Sequence, residues 1–113
     1  MLEKLYGLDV ELGMSYCLDD EDCYCEILEE YVKSSKLDDL YRFLESKDWY
    51  NYRILIHAVK STSLTIGARE LSEKALALEM AAKDEDENYI MDNHEDCMNL
   101  YRKVMNTITD AIN

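Results

Sequence analysis

The sequence predicts an all-α protein, and three observations carry this prediction. The 113 residues include no proline and only three glycines, whereas sheet folds with many tight turns need more of both. Apolar residues make up 48% of the chain, enough to fill the core of one domain without disulfides or metals. Along most of the chain these residues recur every three to four positions, which is the period of a helix. We therefore expect a single domain over residues 1–113.

Two helices are expected in the N-terminal half. A short one covers about residues 9–17, with Asp9 as its N-cap, because an Asp side chain accepts hydrogen bonds from the free amides of a first turn. A long one covers about residues 20–46 and carries an apolar stripe at helical spacing. Ser34 and Ser35 are expected at most to bend it, since there is no proline to break it.

Three further helices are expected over about residues 49–65, 68–83 and 87–112. Asp48 is the candidate N-cap of the first of these, and Gly67 lies where a left-handed residue would end it. Four long helices with short connections pack most simply as an antiparallel up-down four-helix bundle. The short N-terminal helix would then cover one end of the bundle.

The charge of the chain argues against two classes of partner, nucleic acids and anionic membranes. Its net charge is -13, and such an excess of carboxylates repels nucleic acid and anionic lipid, so neither is expected as a partner. No stretch approaches the roughly 18 consecutive apolar residues of a membrane span. The first residues contain acids and no apolar run, unlike a secretory signal. We expect a cytoplasmic protein.

The cysteines and the second histidine give no functional pattern. Cys17, Cys23, Cys25 and Cys97 are interpreted as small apolar or surface thiols in a reducing compartment. Residues two apart on a helix point about 200° away from each other, so the C-x-C pair is a poor metal site. We predict no metal site. His94 lies among polar residues and is interpreted as a surface side chain.

The helix over residues 49–65 places a histidine opposite its core face. With about 100° of rotation per residue, His57 falls about 150° from the centre of the apolar stripe and should face water. The stripe expected to face the core consists of Tyr52, Leu55, Ile56, Val59 and Ser63.

Apolar and cationic side chains surround His57 on this exposed face. A cluster of outward apolar side chains indicates a docking surface for another protein. Lys60 is one turn from His57, so its ammonium would stabilise a phosphoryl dianion formed when neutral imidazole attacks phosphorus. The candidate partner-binding residues are Tyr50, Arg53, Ile54, Ser61 and Leu64.

The segment 57–68, HAVKSTSLTIGA, resembles the signature of histidine-containing phosphotransfer (HPt) domains. In that family a phosphoacceptor His is followed by Lys at the third position, by small residues, and by Gly ten residues on. Residues 7–10 with Gly13 resemble the family's N-terminal lead-in. Residues 20–44 resemble its long first bundle helix, and residues 71–79 resemble the helix beside the histidine. The resemblance covers nearly the whole chain.

The resemblance implies a role for each matching residue. His57 would be the phosphoacceptor and Lys60 the charge-stabilising neighbour, while Gly67 would keep the backbone close and end the helix. Glu79 falls where many members have a polar residue, often Gln, that holds the imidazole through its second nitrogen. A carboxylate there would fix the tautomer, but the residue could equally be a solvated helix side chain. Ser61 departs from the family, in which this position is often Gly.

The resemblance also implies a phosphorelay function. Such a protein carries a phosphoryl group between aspartates of receiver domains, without catalytic activity or a cofactor of its own. Mg²⁺ is expected in the partner receiver domain. The implied partners are a response-regulator receiver domain, a hybrid histidine kinase, or both, and the chain is expected to be a monomer.

Three alternatives remain open at the level of sequence. The chain could be an HPt-like docking module that binds a response regulator without transferring phosphate. It could also be an unrelated helical adaptor in which His57 is incidental. A dimerising phosphoacceptor domain of a kinase would normally be a long two-helix hairpin with a dimer seam.

Overall fold

The computed structural model describes residues 1–113 as a succession of helices without strands. The prediction of an all-helical protein is confirmed. None of the helices combines the length and the apolar character that crossing a bilayer requires. A 3₁₀ helix, Leu2–Lys4, precedes six α-helices: α1 (Val10–Ser15), α2 (Glu21–Lys33), α3 (Leu37–Glu45), α4 (Trp49–Thr65), α5 (Arg69–Lys83) and α6 (Glu87–Ile112).

Acidic N-caps fix where several of these helices begin. The Asp9 carboxylate accepts from the Leu12 amide at the start of α1, and the Asp48 carboxylate accepts from the Asn51 amide at the start of α4. Each bond satisfies an amide that has no partner within its helix. Both predicted caps are confirmed, and the predicted ranges of the last three helices agree with α4, α5 and α6 to within one residue.

The prediction of one continuous helix over residues 20–46 is wrong. The chain leaves the helix after α2 and starts again with α3. Between them, the Ser35 hydroxyl accepts from the Leu37 amide at 3.2 Å. The Lys36 amide donates to the hydroxyl of Tyr101, on α6, at 3.1 Å. Side-chain oxygens therefore replace helical acceptors, which is how serine competes with helix formation.

The core fixes the rotation of α4. This helix packs along α5, which in turn packs along α6, and α3 also contacts α4. Leu55, which was expected in the same stripe, is only half-buried. Because the buried stripe faces the other helices, the opposite side of α4 faces solvent. The fully buried residues of the stripe are Tyr52, Ile56, Val59 and Ser63.

The prediction that His94 is a surface residue is wrong. Only 1% of it is exposed, and its Nδ1 lies 2.7 Å from the hydroxyl of Tyr52. Its immediate neighbours along the chain are polar, but Ile90 and Cys97 lie on the same side of α6 and are also buried. Helical periodicity therefore decides its position, and the polarity of its neighbours does not.

The cysteines form no disulfide. Cys17 and Cys97 are buried, and burial raises the pKa of Cys17 to about 11 and that of Cys97 to about 12. Both thiols therefore stay protonated near neutral pH, where they pack as small apolar side chains.

Candidate functional site

His57 lies in the middle of α4 and projects from its exposed side. Its side chain is 56% exposed, as the helical rotation predicted. Ile56 and Val59, which flank His57 in the sequence, are fully buried in the core. The backbone at His57 is therefore fixed by the packing of its neighbours. A histidine presented in this way is accessible to another protein without any rearrangement of the helix.

The C-terminal end of α4 is fixed by the N-terminal segment. Gly67 has a φ of +91°, and its carbonyl accepts from the Asp9 amide at 2.8 Å. A Cβ at Gly67 would overlap the carbonyl of Asp9, so the two backbones approach too closely for any side chain. The Tyr24 hydroxyl donates to the adjacent Ile66 carbonyl at 2.7 Å. The close backbone and helix end predicted for Gly67 are both present.

Glu79 of α5 joins His57 and Lys60 into one cluster. One carboxylate oxygen, Oε2, lies 2.7 Å from Nδ1 of His57, and the other, Oε1, lies 2.9 Å from Nζ of Lys60. The Glu79 side chain is only 15% exposed, so it is not a solvated helix residue. The sequence left open whether Glu79 holds the imidazole or is a solvated side chain, and the structure shows the contact with His57.

The protonation of this cluster follows from its contacts. Burial alone raises the pKa of Glu79, but the contacts with Lys60 and His57 outweigh burial and hold that pKa below its ordinary value. Glu79 is therefore a carboxylate near neutral pH and can only accept hydrogen bonds. Nδ1 of His57 must then carry the proton in this contact, and in the neutral tautomer the lone pair is on Nε2. The free nitrogen is thus the nucleophilic one.

Lys60 makes a contact that the sequence did not predict. It was expected one turn from His57 as a charge-stabilising neighbour, with no other contact assigned, and its ammonium is paired with Glu79. The contact is an ion pair without a directed hydrogen bond, because Glu79 Oε1 has no hydrogen-bond partner, so the donors of the ammonium remain available for another acceptor. The Ser72 hydroxyl of α5 donates to the Lys60 carbonyl at 2.9 Å and thereby ties the two helices together at this level.

The predicted partner-binding residues surround His57 on the surface. Tyr50 is 73% exposed, and Ile54 and Leu64 are also exposed. Tyr50, Arg53 and Ile54 share a shallow depression of about 450 Å³ with His57 and Glu79. A second depression, of about 410 Å³, contains Lys60, Ser61, Leu64, Arg69, Ser72, Glu73 and Leu76.

Two exposed apolar residues of α5 near this site were not predicted from the sequence. Leu76 and Met80 are exposed; Leu76 lines the second depression, and Met80 directly follows Glu79. The signal was present in the sequence, because both residues fall outside the core stripe of α5, which contains Leu71, Ala75, Leu78 and Ala82. An apolar residue outside the buried stripe of an amphipathic helix marks a candidate contact surface.

Comparisons with protein-family models, with curated proteins and with solved structures found no match to this chain. Function is therefore inferred from the chemistry of the site itself.

Proposed function

We propose that this chain is a phosphotransfer protein of the HPt type. His57 accepts a phosphoryl group from the aspartyl phosphate of a receiver domain and passes it to the aspartate of another. The observation that carries the proposal is the contact of Nδ1 with the Glu79 carboxylate. It makes the exposed Nε2 the nucleophile, on a helix whose rotation is fixed by the core.

The transfer is an exchange of one bond for another. The Nε2 lone pair of His57 forms a bond to phosphorus, and the bond between phosphorus and the aspartyl oxygen breaks. Its electron pair leaves with the receiver's carboxylate. The imidazole ring becomes positively charged while its Nδ1 proton stays hydrogen-bonded to Glu79, which stabilises that charge. The second transfer reverses these changes.

Cations at the site suit a phosphoryl group. Lys60 lies one turn from His57, and its ammonium keeps donors available for a phosphoryl oxygen. Arg53 lines the same depression as His57 and forms no ion pair. Its planar guanidinium matches two oxygens of a phosphoryl group. The chain supplies positioning and charge, while the receiver domain is proposed to supply the Mg²⁺.

We further infer an antiparallel four-helix bundle of α2, α4, α5 and α6. The packing of α4 on α5, of α5 on α6 and of α6 on α2 supports this arrangement. The short connections at residues 66–68 and 84–86 also support it, because they favour antiparallel neighbours. The proposed protein acts as a cytoplasmic monomer that docks a receiver domain, or a hybrid kinase that contains one, through a modest and transient interface.

A transfer assay tests this function. A receiver domain is charged with radiolabelled phosphate from a small-molecule donor in the presence of Mg²⁺ and is then mixed with the chain. We expect acid-labile, base-stable label on the wild type. We expect none on His57→Gln, because that variant has no nucleophile. Lys103→Gln, which changes an exposed residue of α6, is the control and should be labelled as the wild type is.

The same assay separates the docking alternative. If a charged receiver domain binds the wild type but leaves no label on it, the chain is a docking module and the carrier proposal is wrong. Label of equal amount on wild type and on His57→Gln would also overturn the assignment of His57.

A further inference from the structure

The group that holds His57 is a carboxylate whose side chain is 15% exposed, and its negative charge has a larger effect after phosphorylation of the ring than before. An amide at the same place could also accept a hydrogen bond from Nδ1, so orientation alone does not require Glu79. What a carboxylate adds is a full negative charge, 2.7 Å from the ring. That charge favours a ring that carries a proton on Nδ1 together with a phosphoryl group on Nε2.

We propose that Glu79 makes the phosphorylated form of His57 short-lived, by keeping Nδ1 protonated while the phosphoryl group is bound to Nε2. This inference rests on the proposed phosphotransfer function and concerns the lifetime of its intermediate. As a water oxygen, or an aspartate oxygen of a receiver domain, forms a bond to phosphorus, the bond between Nε2 and phosphorus breaks and its electron pair returns to Nε2. With a proton on Nδ1 the ring leaves as neutral imidazole, whereas without it the ring would leave as an anion, which is a much poorer leaving group.

The charged groups around the ring have opposite effects on its protonation, and the group in direct contact with the ring has the larger effect. Glu79 is the only carboxylate in contact with His57, and it approaches from α5. Arg53, Lys60 and the hydroxyl of Tyr50 lie on α4 around the same site, and the two cations there disfavour a second positive charge. Glu79 is in direct contact with Nδ1, while Lys60 contacts Glu79 on its far oxygen, so the contact of Glu79 with the ring dominates.

Lys60 has a second effect through this geometry. Its ammonium lies 2.9 Å from Oε1 of Glu79, and it helps to hold the pKa of Glu79 low even though burial raises it. Lys60 therefore helps to keep Glu79 ionised. Its positive charge also opposes a proton on the phosphorylated ring, so it offsets part of the effect of Glu79.

The test follows the decay of the phosphorylated chain as a function of pH. The wild type, Glu79→Gln and the matched control Glu73→Gln are loaded with labelled phosphoramidate, which needs no receiver domain. His57→Gln defines the background. After the donor is removed, the loss of label is measured between pH 5 and pH 9. Glu73 is exposed on α5 beside the second depression and does not contact His57.

We expect the wild type and Glu73→Gln to share one pH midpoint, with fast decay below it. In Glu79→Gln the hydrogen bond to Nδ1 loses its full charge, and a charge-assisted bond is about twice as strong as a neutral one. The midpoint should fall by about one pH unit, and decay at alkaline pH should slow by up to about tenfold. Lys60→Met should shift the midpoint in the opposite direction, because it removes a cation from the cluster.

The outcomes are distinct. An unchanged midpoint in Glu79→Gln, or a half-life altered by the same factor at every pH, would leave Glu79 a purely structural role and overturn this inference. Failure of the wild type to load at His57 would instead overturn the proposed function itself. If Glu79→Gln loses its helical circular dichroism, the Lys60→Met shift decides, and a midpoint that stays at the wild-type value contradicts the inference.

Discussion

The two histidines of the chain occupy opposite environments. His57 is exposed and held by a carboxylate, whereas His94 is buried and held by the neutral hydroxyl of Tyr52. Nε2 of His94 has no hydrogen-bond partner. Burial lowers the pKa of His94, with a smaller opposing effect from Glu95 and a smaller lowering effect from Arg102. His94 is therefore neutral in the folded chain, and its role is structural.

This environment predicts an acid-sensitive fold. His94 has its usual pKa of about 6.5 when unfolded and a lower one when folded. The unfolded state therefore binds more protons below about pH 6.5, and stability falls as pH falls. Between pH 7.5 and pH 5.5 we expect this group to lower the free energy of unfolding by on the order of 1 kcal/mol. Urea unfolding at several pH values measures this loss.

His94→Asn is the matched variant for that measurement. Asn keeps a polar group near the Tyr52 hydroxyl but does not titrate. It should be less stable than the wild type at pH 7.5, because it leaves a small cavity, and its stability should change less between pH 7.5 and pH 5.5. Parallel losses in the two proteins would show that another group is responsible. The carboxylates with lowered pKa, such as Glu79 and Asp48, titrate in a more acidic range.

At the scale of elements, some helix boundaries could be predicted from the sequence and others could not. The Asp48 cap is local, because the capping side chain and the amide that it accepts from are three residues apart, so the sequence alone reveals it. The break between α2 and α3 is only partly local. The Ser35 hydroxyl accepts from the Leu37 amide two residues on. The Lys36 amide, however, donates to Tyr101, which is 65 residues away, and no local pattern contains that second contact.

The opposite end of α4 gives a prediction for Gly67→Ala. The variant would have to adopt a φ near +91° and displace the Asp9 carbonyl. We expect a loss of about 2–4 kcal/mol in the free energy of unfolding, measured with urea. Gly7→Ala is the control, since Gly7 has a φ of +82° but nothing within 4 Å of an added Cβ, and it should lose only about 1–2 kcal/mol. Equal losses would contradict a close approach at Gly67.

At the scale of the whole molecule, packing brings together groups that the sequence leaves apart. The rotation of α4 follows from its own apolar stripe, so the exposure of His57 could be predicted without the neighbouring helices. The pairing of Lys60 with Glu79 could not, because its geometry depends on how α5 lies against α4. The same packing places Leu76 beside Ser61 and Leu64. It thereby extends the surface around His57 across two helices.

The whole-molecule charge also bears on function. The chain has a net charge of -13, yet Arg53 and Lys60 stand around the one exposed histidine. A local cationic site within an acidic protein favours a phosphoryl group at that position and repels polyanions elsewhere. This distribution fits the proposed role of His57 as a phosphoryl acceptor.

The most direct test of the central claim is whether the phosphorylated chain discharges to a receiver domain. Chain labelled on His57 is purified, mixed with an unlabelled receiver domain and Mg²⁺, and the label on each protein is followed over time. We expect label to leave the chain and to appear on the receiver as a base-labile aspartyl phosphate, and a receiver without its aspartate should accept none. Loss of label as free phosphate at one rate, with or without that aspartate, would contradict a carrier function for His57.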